Sequence, residues 1–381
     1  MRGNMAASEK KPRRRRRQGL ALTLLNGLLT LIVLAILGLG AATYYGIEHF
    51  YAPGPKDTET AFLVEKGSNL NTISTRLAEQ GFMDDGLFDS VVFKSGIQLL
   101  GARSARIIPG QYTMPAHASM ADLLTTITES KPQEFFVNVV PGETSWQVAA
   151  NVNDPAQSLS GDPVSPPPEG TLLAARQDFF PGDTRQSVLD RMSKSMADEV
   201  AQVWATHDPS IDAVVKSPAD LVTLASLVEK ETGVDTERPE VASVFINRLK
   251  KHMRLQTDPS VIYGITQGKA KLDRGLTTKD LDAKTPYNTY QIDGLPPGPI
   301  ANPGLDALQA VAHPADTNYL YFVAKTADPA DGHYFSPTYA QHRKNVALYQ
   351  QAVKDQAADE AEQAREQLEQ QQASEAGDTT Q

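Results

Sequence analysis

Apolar residues fall into sharply different patterns along the chain. From Gln18 to Ile47 no charged residue occurs, and Gly19 to Ala42 is dominated by Leu, Ile, Val, Ala and Gly. A helix of about 24 such residues is roughly 36 Å long, enough to cross a hydrocarbon core of about 30 Å. The pattern therefore predicts one membrane-spanning helix over residues 19–47, with Tyr44 and Tyr45 at the far interface. The run exceeds the apolar stretch of about 7–15 residues in a cleavable leader, which favours a retained anchor over a signal peptide. Residues 48–58, with Pro53, Gly54 and Pro55, then predict a short linker.

Beyond the linker the pattern switches between strand and helix periods. Ala61 to Ser68 predicts a strand ending in a Gly turn. Leu70, Ile73, Leu77 and Ala78 follow at helical spacing, and Gly81 supplies the stop. A second helix is expected over roughly 87–100, and a strand or turn over 106–112. Ser119 with Asp122 has the form of a capping box before Leu123, Leu124 and Ile127. A strand, two helices and a strand in so short a space resemble the glycan-binding LysM module, so residues 59–131 are expected to form a LysM-like lobe. The same opening recurs at Phe135-Phe-Val-Asn-Val-Val-Pro-Gly-Glu-Thr-Ser-Trp-Gln-Val-Ala149. It is either a degenerate second copy or an ordinary strand–turn–helix.

A larger domain over 132–350 is expected to mix helices (183–205, 218–232) with strands (319–324, 332–335), separated from the recurring opening by a Pro-rich loop at 163–170. Residues 351–381 are rich in Gln, Glu and Ala and read as a solvated helix fraying into a disordered tail. The fold class is α+β: a single N-terminal transmembrane helix, the LysM-like lobe, an α+β domain and a helical or disordered tail.

Charge adds an orientation. Residues 1–18 form a basic tail, in which eight Lys and Arg face one Glu, although the whole chain carries −10. Arginines 13–17 precede the span and place the N-terminus in the cytoplasm and the remainder outside. The acidic body argues against nucleic acid as a partner. Cysteine is absent, which excludes disulfides, thiolate metal sites and thiol nucleophiles. There is no H-E-x-x-H, G-x-S-x-G, Walker A or dinucleotide Gly motif, and the S-x-x-K at Ser8 lies in the basic tail. No metal or other cofactor is implied.

What remains is a dense series: Leu221-Val-Thr-Leu-Ala-Ser-Leu-Val-Glu-Lys-Glu-Thr-Gly233, Val241-Ala-Ser-Val-Phe-Ile-Asn-Arg-Leu249, Arg254-Leu-Gln-Thr-Asp-Pro-Ser-Val-Ile-Tyr-Gly264, Tyr287-Asn-Thr-Tyr290 and Gly294-Leu-Pro-Pro-Gly298. On a helix, Leu221, Leu224, Ala225 and Val228 form an apolar stripe with Glu231 at its edge, whereas Glu229 lies further round, on the wetter side. Desolvation would raise the pKa of Glu231 and suit it to general acid catalysis. The periodicity alone favours two solvated glutamates at a helix end.

These runs, in this order, resemble the YceG/MltG family of endolytic murein transglycosylases over about residues 62–346. The resemblance implies a peptidoglycan lytic transglycosylase in the cytoplasmic (inner) membrane, single-pass, with a periplasmic catalytic domain over 132–350. It also implies partnership with peptidoglycan synthases. It assigns the catalytic glutamate to Glu231. Such an enzyme can work with one carboxyl group, because the C6 hydroxyl of muramic acid attacks its own C1 and leaves a 1,6-anhydro end. Gln256, Thr257, Asp258, Tyr287, Asn288 and Tyr290 are candidate substrate contacts, since amides, hydroxyls and aromatic faces suit sugars. Asp258 is also a candidate second carboxylate or a turn residue. Arg248 would pair with a carboxylate in the cleft or sit on a wet helix face. Pro296 and Pro297 would stiffen a loop. One departure stands out: Glu169-Gly-Thr-Leu-Leu-Ala-Ala-Arg-Gln-Asp-Phe179 keeps the family's Glu-Gly and little of the aromatic stretch that follows. A muramidase-type hydrolase using a second carboxylate (Asp258 or Glu229), and a non-catalytic glycan-binding membrane anchor, remain the competing readings.

Overall fold

In the computed structural model, which describes residues 14–99 and 107–378, the chain divides after Glu134 into two compact units. Helix α1 (Arg14–Tyr51) contains a stretch long and apolar enough to cross a membrane by length and composition. The helix does not end at Ile47. Phe50 is buried in the core of the first unit, and His49 Nε2 lies 2.9 Å from Asp89 Oδ1. Nor is the segment after it a free linker. Gly54 N donates to His117 O (3.0 Å), His117 N to Lys56 O (2.6 Å) and Lys56 Nζ to Gln80 O (2.8 Å). Pro53 and Pro55 break the helix, but the backbone polar groups they free find partners on the unit itself.

The first unit is built on an antiparallel pair, β1 (Thr60–Val64) with β2 (Gly110–Met114), in which Phe62 faces Tyr112. Helices α2 (Leu70–Glu79) and α3 (Leu87–Leu99) lie between the strands in sequence, and α4 (Met120–Glu129) follows them. Asn69 caps α2, and Ser119 with Asp122 forms the expected capping box on α4. Phe62, Leu77, Phe93, Tyr112, Leu123 and Leu124 fill the core. Of the strand or turn expected over 106–112, Arg106 lies outside the described residues, and the strand itself begins at Gly110.

The second unit opens with β3 (Phe135–Asn138) and α5 (Ser145–Asn153), whose capping box is Thr144 with Gln147. The strand pairs antiparallel with β4 (Arg176–Phe179). A single 3-10 turn (Pro155–Gln157) and a Pro-rich segment, with no second α-helix, connect α5 to that partner strand. A helical layer follows: α6 (Arg185–Ala205), α7 (Pro218–Glu231), α8 (Arg238–Lys250), α9 (Asp258–Thr266), α10 (Thr278–Asp282) and α11 (Leu305–Ala312). The hairpin β5 (Tyr321–Ala324) and β6 (His333–Ser336) and the long helix α12 (Tyr339–Asp378) complete it.

Helix α7 is central and packs against α6, α8 and α11. Every residue from Leu221 to Val228 is buried, not only the apolar stripe. The small polar residues tolerate this because their hydroxyls are satisfied locally. Thr223 Oγ1 donates to Ala219 O (2.8 Å), and Ser226 Oγ donates to Thr223 O (2.7 Å) while accepting from Ile300 N (3.0 Å). Buried hydroxyls with partners cost little.

Candidate active site

Ser217 caps the start of α7, with Pro218 in its first turn, and the helix ends on Glu231. A helix buried from Leu221 to Val228 thus delivers one carboxyl group at its last residue. Thr257 Oγ1 donates a hydrogen bond to Glu231 Oε1. Burial pushes the Glu231 carboxyl up to about 7 from its ordinary 4.5. The Thr257 hydrogen bond opposes that rise, the negative charge of Asp258 adds to it, and Arg248 opposes it weakly. A carboxyl group in this state carries its proton near neutrality, as a general acid must.

Thr257 is held in turn. Its side chain is buried, and its N–H donates to Thr289 Oγ1 (2.9 Å). Ser260 Oγ donates to Thr257 O (2.7 Å) and lies 2.8 Å from Thr289 Oγ1. Gln256 reaches this position through left-handed backbone (φ 50°), its N–H donating to Thr289 O at 3.2 Å, and its side chain is exposed. Thr257 therefore orients the Glu231 carboxyl, to which its hydroxyl is bonded.

Arg248 neither pairs with a carboxylate nor sits in water. It is buried, with Nε donating to Leu320 O (2.7 Å) and Nη1 to Leu255 O (2.7 Å). It ties β5 to the segment that carries Thr257. Asp258 opens α9 and is exposed, its Oδ1 accepting from Tyr290 OH at 2.6 Å. Burial and that bond raise the phenol of Tyr290 well above its ordinary range.

The remaining expected contacts separate. Asn288 is fully buried, and its amide donates to the carbonyls of Asp280 (3.1 Å), Leu281 (3.0 Å) and Ala283 (2.7 Å), while Oδ1 accepts from Tyr290 N (3.0 Å). This side chain clamps a loop from a fully buried position. The ring of Tyr287 lies 4.9 Å from that of Tyr263, tilted by 60°. Tyr263 OH in turn donates to Glu169 Oε2 (3.4 Å). Glu169 also accepts from Ser145 N (2.7 Å) and Asn302 Nδ2 (3.4 Å), and burial raises its carboxyl. The structure thus groups Thr257, Asp258 and Tyr290 around Glu231, with Gln256 beside them. Tyr287 belongs with Tyr263 and Glu169.

The expectation for Glu229 is overturned. Its side chain is 4% exposed, with Oε1 3.0 Å from Arg238 Nη2 and Oε2 accepting from Gly304 N at 2.9 Å. The helical period measures direction around α7, but protein covers the Glu229 side as well as the apolar stripe, and it is Lys230 that faces solvent. Arg238 comes from the start of the next helix and Gly304 from 75 residues further on. Tyr263 was within reach of sequence reasoning, since it stands in the same run as Gln256 and Thr257, but nothing local marks its contact with Glu169.

Comparison with known proteins gives a consistent neighbourhood. A model of the YceG-like family matches residues 62–348. An endolytic murein transglycosylase of Bacillus subtilis (strain 168) is 41% identical over 49% of this chain and 49% of its own length. One from Streptococcus pneumoniae serotype 2 is 28% identical over 74% of this chain and 57% of its own. The matches therefore span about half the length of these curated relatives. A crystal structure of a yceG-like protein from Listeria monocytogenes aligns with a TM-score of 0.45 at 26% identity, covering 76% of this chain and 99% of that one.

Proposed function

The chain belongs to the YceG-like family, and on that premise we propose that it is a membrane-anchored endolytic lytic transglycosylase of murein, with Glu231 as its acid and base. The observation that carries this reading is one carboxyl group, delivered by a buried helix, oriented by Thr257 and raised to about 7. Glu231 protonates the glycosidic oxygen between muramic acid and the next sugar, and that C1–O bond breaks. The C6 hydroxyl of the same muramic residue forms the new bond to C1, and Glu231, now a carboxylate, takes its proton. The product ends in 1,6-anhydro-muramic acid and no water is consumed. An intramolecular nucleophile gains effective molarity, so no second carboxylate is required. Exposed Gln256, and Tyr290 with Asp258, would meet sugar near the acid on this reading.

A hydrolase with Asp258 as second carboxylate is the competing reading, since the charge of Asp258 is felt at Glu231. Engagement of Asp258 by Tyr290 counts against a free base there. Product mass separates the two. Digestion of purified sacculi should release muropeptides one water lighter than hydrolysed ends; hydrolysed ends would overturn the transglycosylase reading, and no release would favour a non-catalytic anchor.

The apolar part of α1 supports single-pass anchoring, with the basic tail in the cytoplasm and the body outside it. A reporter fused after Gln381 would then be active only outside the cytoplasm, and cytoplasmic activity would rule this out. The strand–helix–helix–strand order of the first unit supports a LysM-like, glycan-binding role. Deleting residues 59–131 should weaken retention on sacculi, and unchanged retention would refute it. Partnership with peptidoglycan synthases rests on the family alone. In-cell crosslinking that recovers no synthase would remove it.

A further inference from the structure

We propose that α3 rests on the lipid surface beside α1, so that the first unit is seated on the bilayer. The proposal builds on the reading of α1 as a membrane anchor. A hydrocarbon core of about 30 Å takes about 20 helical residues, so a span entered at Leu22 is filled near Ala42. Tyr44 and Tyr45, 67% and 66% exposed, then lie at the interface where aromatic side chains gather.

Helix α3 meets α1 at this depth. Gly46 of α1 lies against Val92. Gly96 of α3 leaves room for the Phe50 ring, which stands where a Cβ would project, so the two helices approach closely. The His49–Asp89 contact and the rings of His49 and Phe88, 5.4 Å apart, extend the same junction. Between the helices is a cleft of about 460 Å³ lined by Leu39, Ala42, Thr43, Phe88, Val91 and Ser95 among others. Leu39 and Ala42 belong to the span itself. Phe88 and Val91 therefore stand where the span leaves the hydrocarbon.

Helix α3 is apolar on two sides. Val92, Phe93 and Ile97 enter the core of the unit, whereas Leu87, Phe88 and Val91 are 90%, 52% and 60% exposed. An exposed apolar cluster of this kind marks a contact surface. Its occupant is indicated by continuity, because the cluster adjoins the apolar surface of α1 through the shared cleft, and that surface is the part bathed in lipid. Exposed Lys94, three residues after Val91 on the same side of the helix, can reach headgroup phosphates while its stem stays among the apolar groups. The bonded segment 52–56 removes the slack that would let the unit lift away.

The full chain in lipid nanodiscs tests this, and the absence of cysteine makes single labels unambiguous. Nitroxides are placed through Leu31→Cys within the span, Leu87→Cys and Val91→Cys on α3, and Asn71→Cys on the exposed side of α2. Dissolved oxygen should relax the labels at 31, 87 and 91 several-fold more than a water-soluble nickel chelate does, with the order reversed at 71. Lipid at 31 but water at 87 and 91 would overturn the seating and leave the anchor intact. Water at 31 would remove the anchor and the seating together. Shielding of 87 and 91 from both relaxers would mean a protein partner covers α3, which also overturns the proposal.

Discussion

Glu229 and Glu231 leave the last turn of α7 two residues apart and meet opposite partners: a buried guanidinium and an N–H for the first, a threonine hydroxyl for the second. The two carboxyl groups divide the work between them. Glu229 joins α7 to Arg238 at the start of α8 and to Gly304 before α11, so it fastens three helices. Among the described residues no cation is bonded to Glu231, and of the charges that act on it the anionic Asp258 outweighs Arg248.

Glu229→Gln should therefore cost stability, with little direct effect on chemistry. Breaking a buried pair from one side costs about 3–5 kcal/mol, because the remaining charge is left unpaired. Arg238 retains Asp235, which is exposed, so the lower end of that range is expected. Urea unfolding measures the loss. Turnover per folded molecule should stay within a few-fold of the parent, and its abolition in a folded variant would place Glu229 in the mechanism.

Asn288→Ala distinguishes a loop clamp from a sugar contact. Removing an amide that donates to three carbonyls should cost about 2–4 kcal/mol, since hydrogen bonds contribute about 1 kcal/mol each and the acceptors lose their partner. The melting temperature should fall while KM for glycan strands is unchanged at temperatures where the variant is folded. A raised KM with an unchanged melting temperature would restore Asn288 as a substrate contact.

These two residues also mark how far the sequence carried. The helix over 218–232, the capping box at 119–122 and the strands at 61–64 and 321–324 follow from short-range patterns, which hold wherever neighbours in sequence decide the conformation. Glu229 and Asn288 differ because no helix or strand period sets their partners. Gly304 lies 75 residues from Glu229, and the carbonyls of 280–283 meet Asn288 through the closure of one irregular loop. Polar residue type suggested sugar contact at Asn288, but the same amide serves loop carbonyls equally well. Arg248 was misplaced for the same reason, since its acceptors are backbone carbonyls that no side-chain pattern announces.

Glu231→Gln should lower activity by about 10²–10⁴-fold, the usual contribution of a general acid–base group, and should also stabilise the fold at high pH. The folded carboxyl keeps its proton up to about 7, whereas an ordinary one releases it near 4.5. Between those values the folded chain binds more protons than the unfolded one, so stability falls as pH rises and the loss is complete above about 7. The shift corresponds to about 3 kcal/mol. Glu231→Gln has no proton to lose and escapes this cost. Its melting temperature should match the parent near pH 4 and exceed it near pH 8. Equal melting temperatures at both would show that Glu231 is not buried with a raised pKa.

The pH–rate profile gives the sharpest test, because two neighbours of Glu231 should move it in opposite directions. The acid works when protonated, so kcat/KM should decline as pH rises through about 7. Thr257 donates to Glu231 and favours its ionised form. In Thr257→Val that support is gone, the pKa rises, and the alkaline decline should begin at higher pH. Asp258 does the reverse, since its negative charge disfavours a second anion beside it. In Asp258→Asn the decline should begin at lower pH, with Tyr290 still able to donate to the amide oxygen and with anhydro products unchanged. Arg248 faces Glu231 in both variants and cancels from the comparison. The maximum rate of Thr257→Val should fall roughly tenfold as the carboxyl loses its orientation, within the range such groups contribute. Profiles displaced in the same direction would mean that packing, not charge and hydrogen bonding, moves the limb. Complete loss in Asp258→Asn with the fold intact would make Asp258 the second carboxylate of a hydrolase.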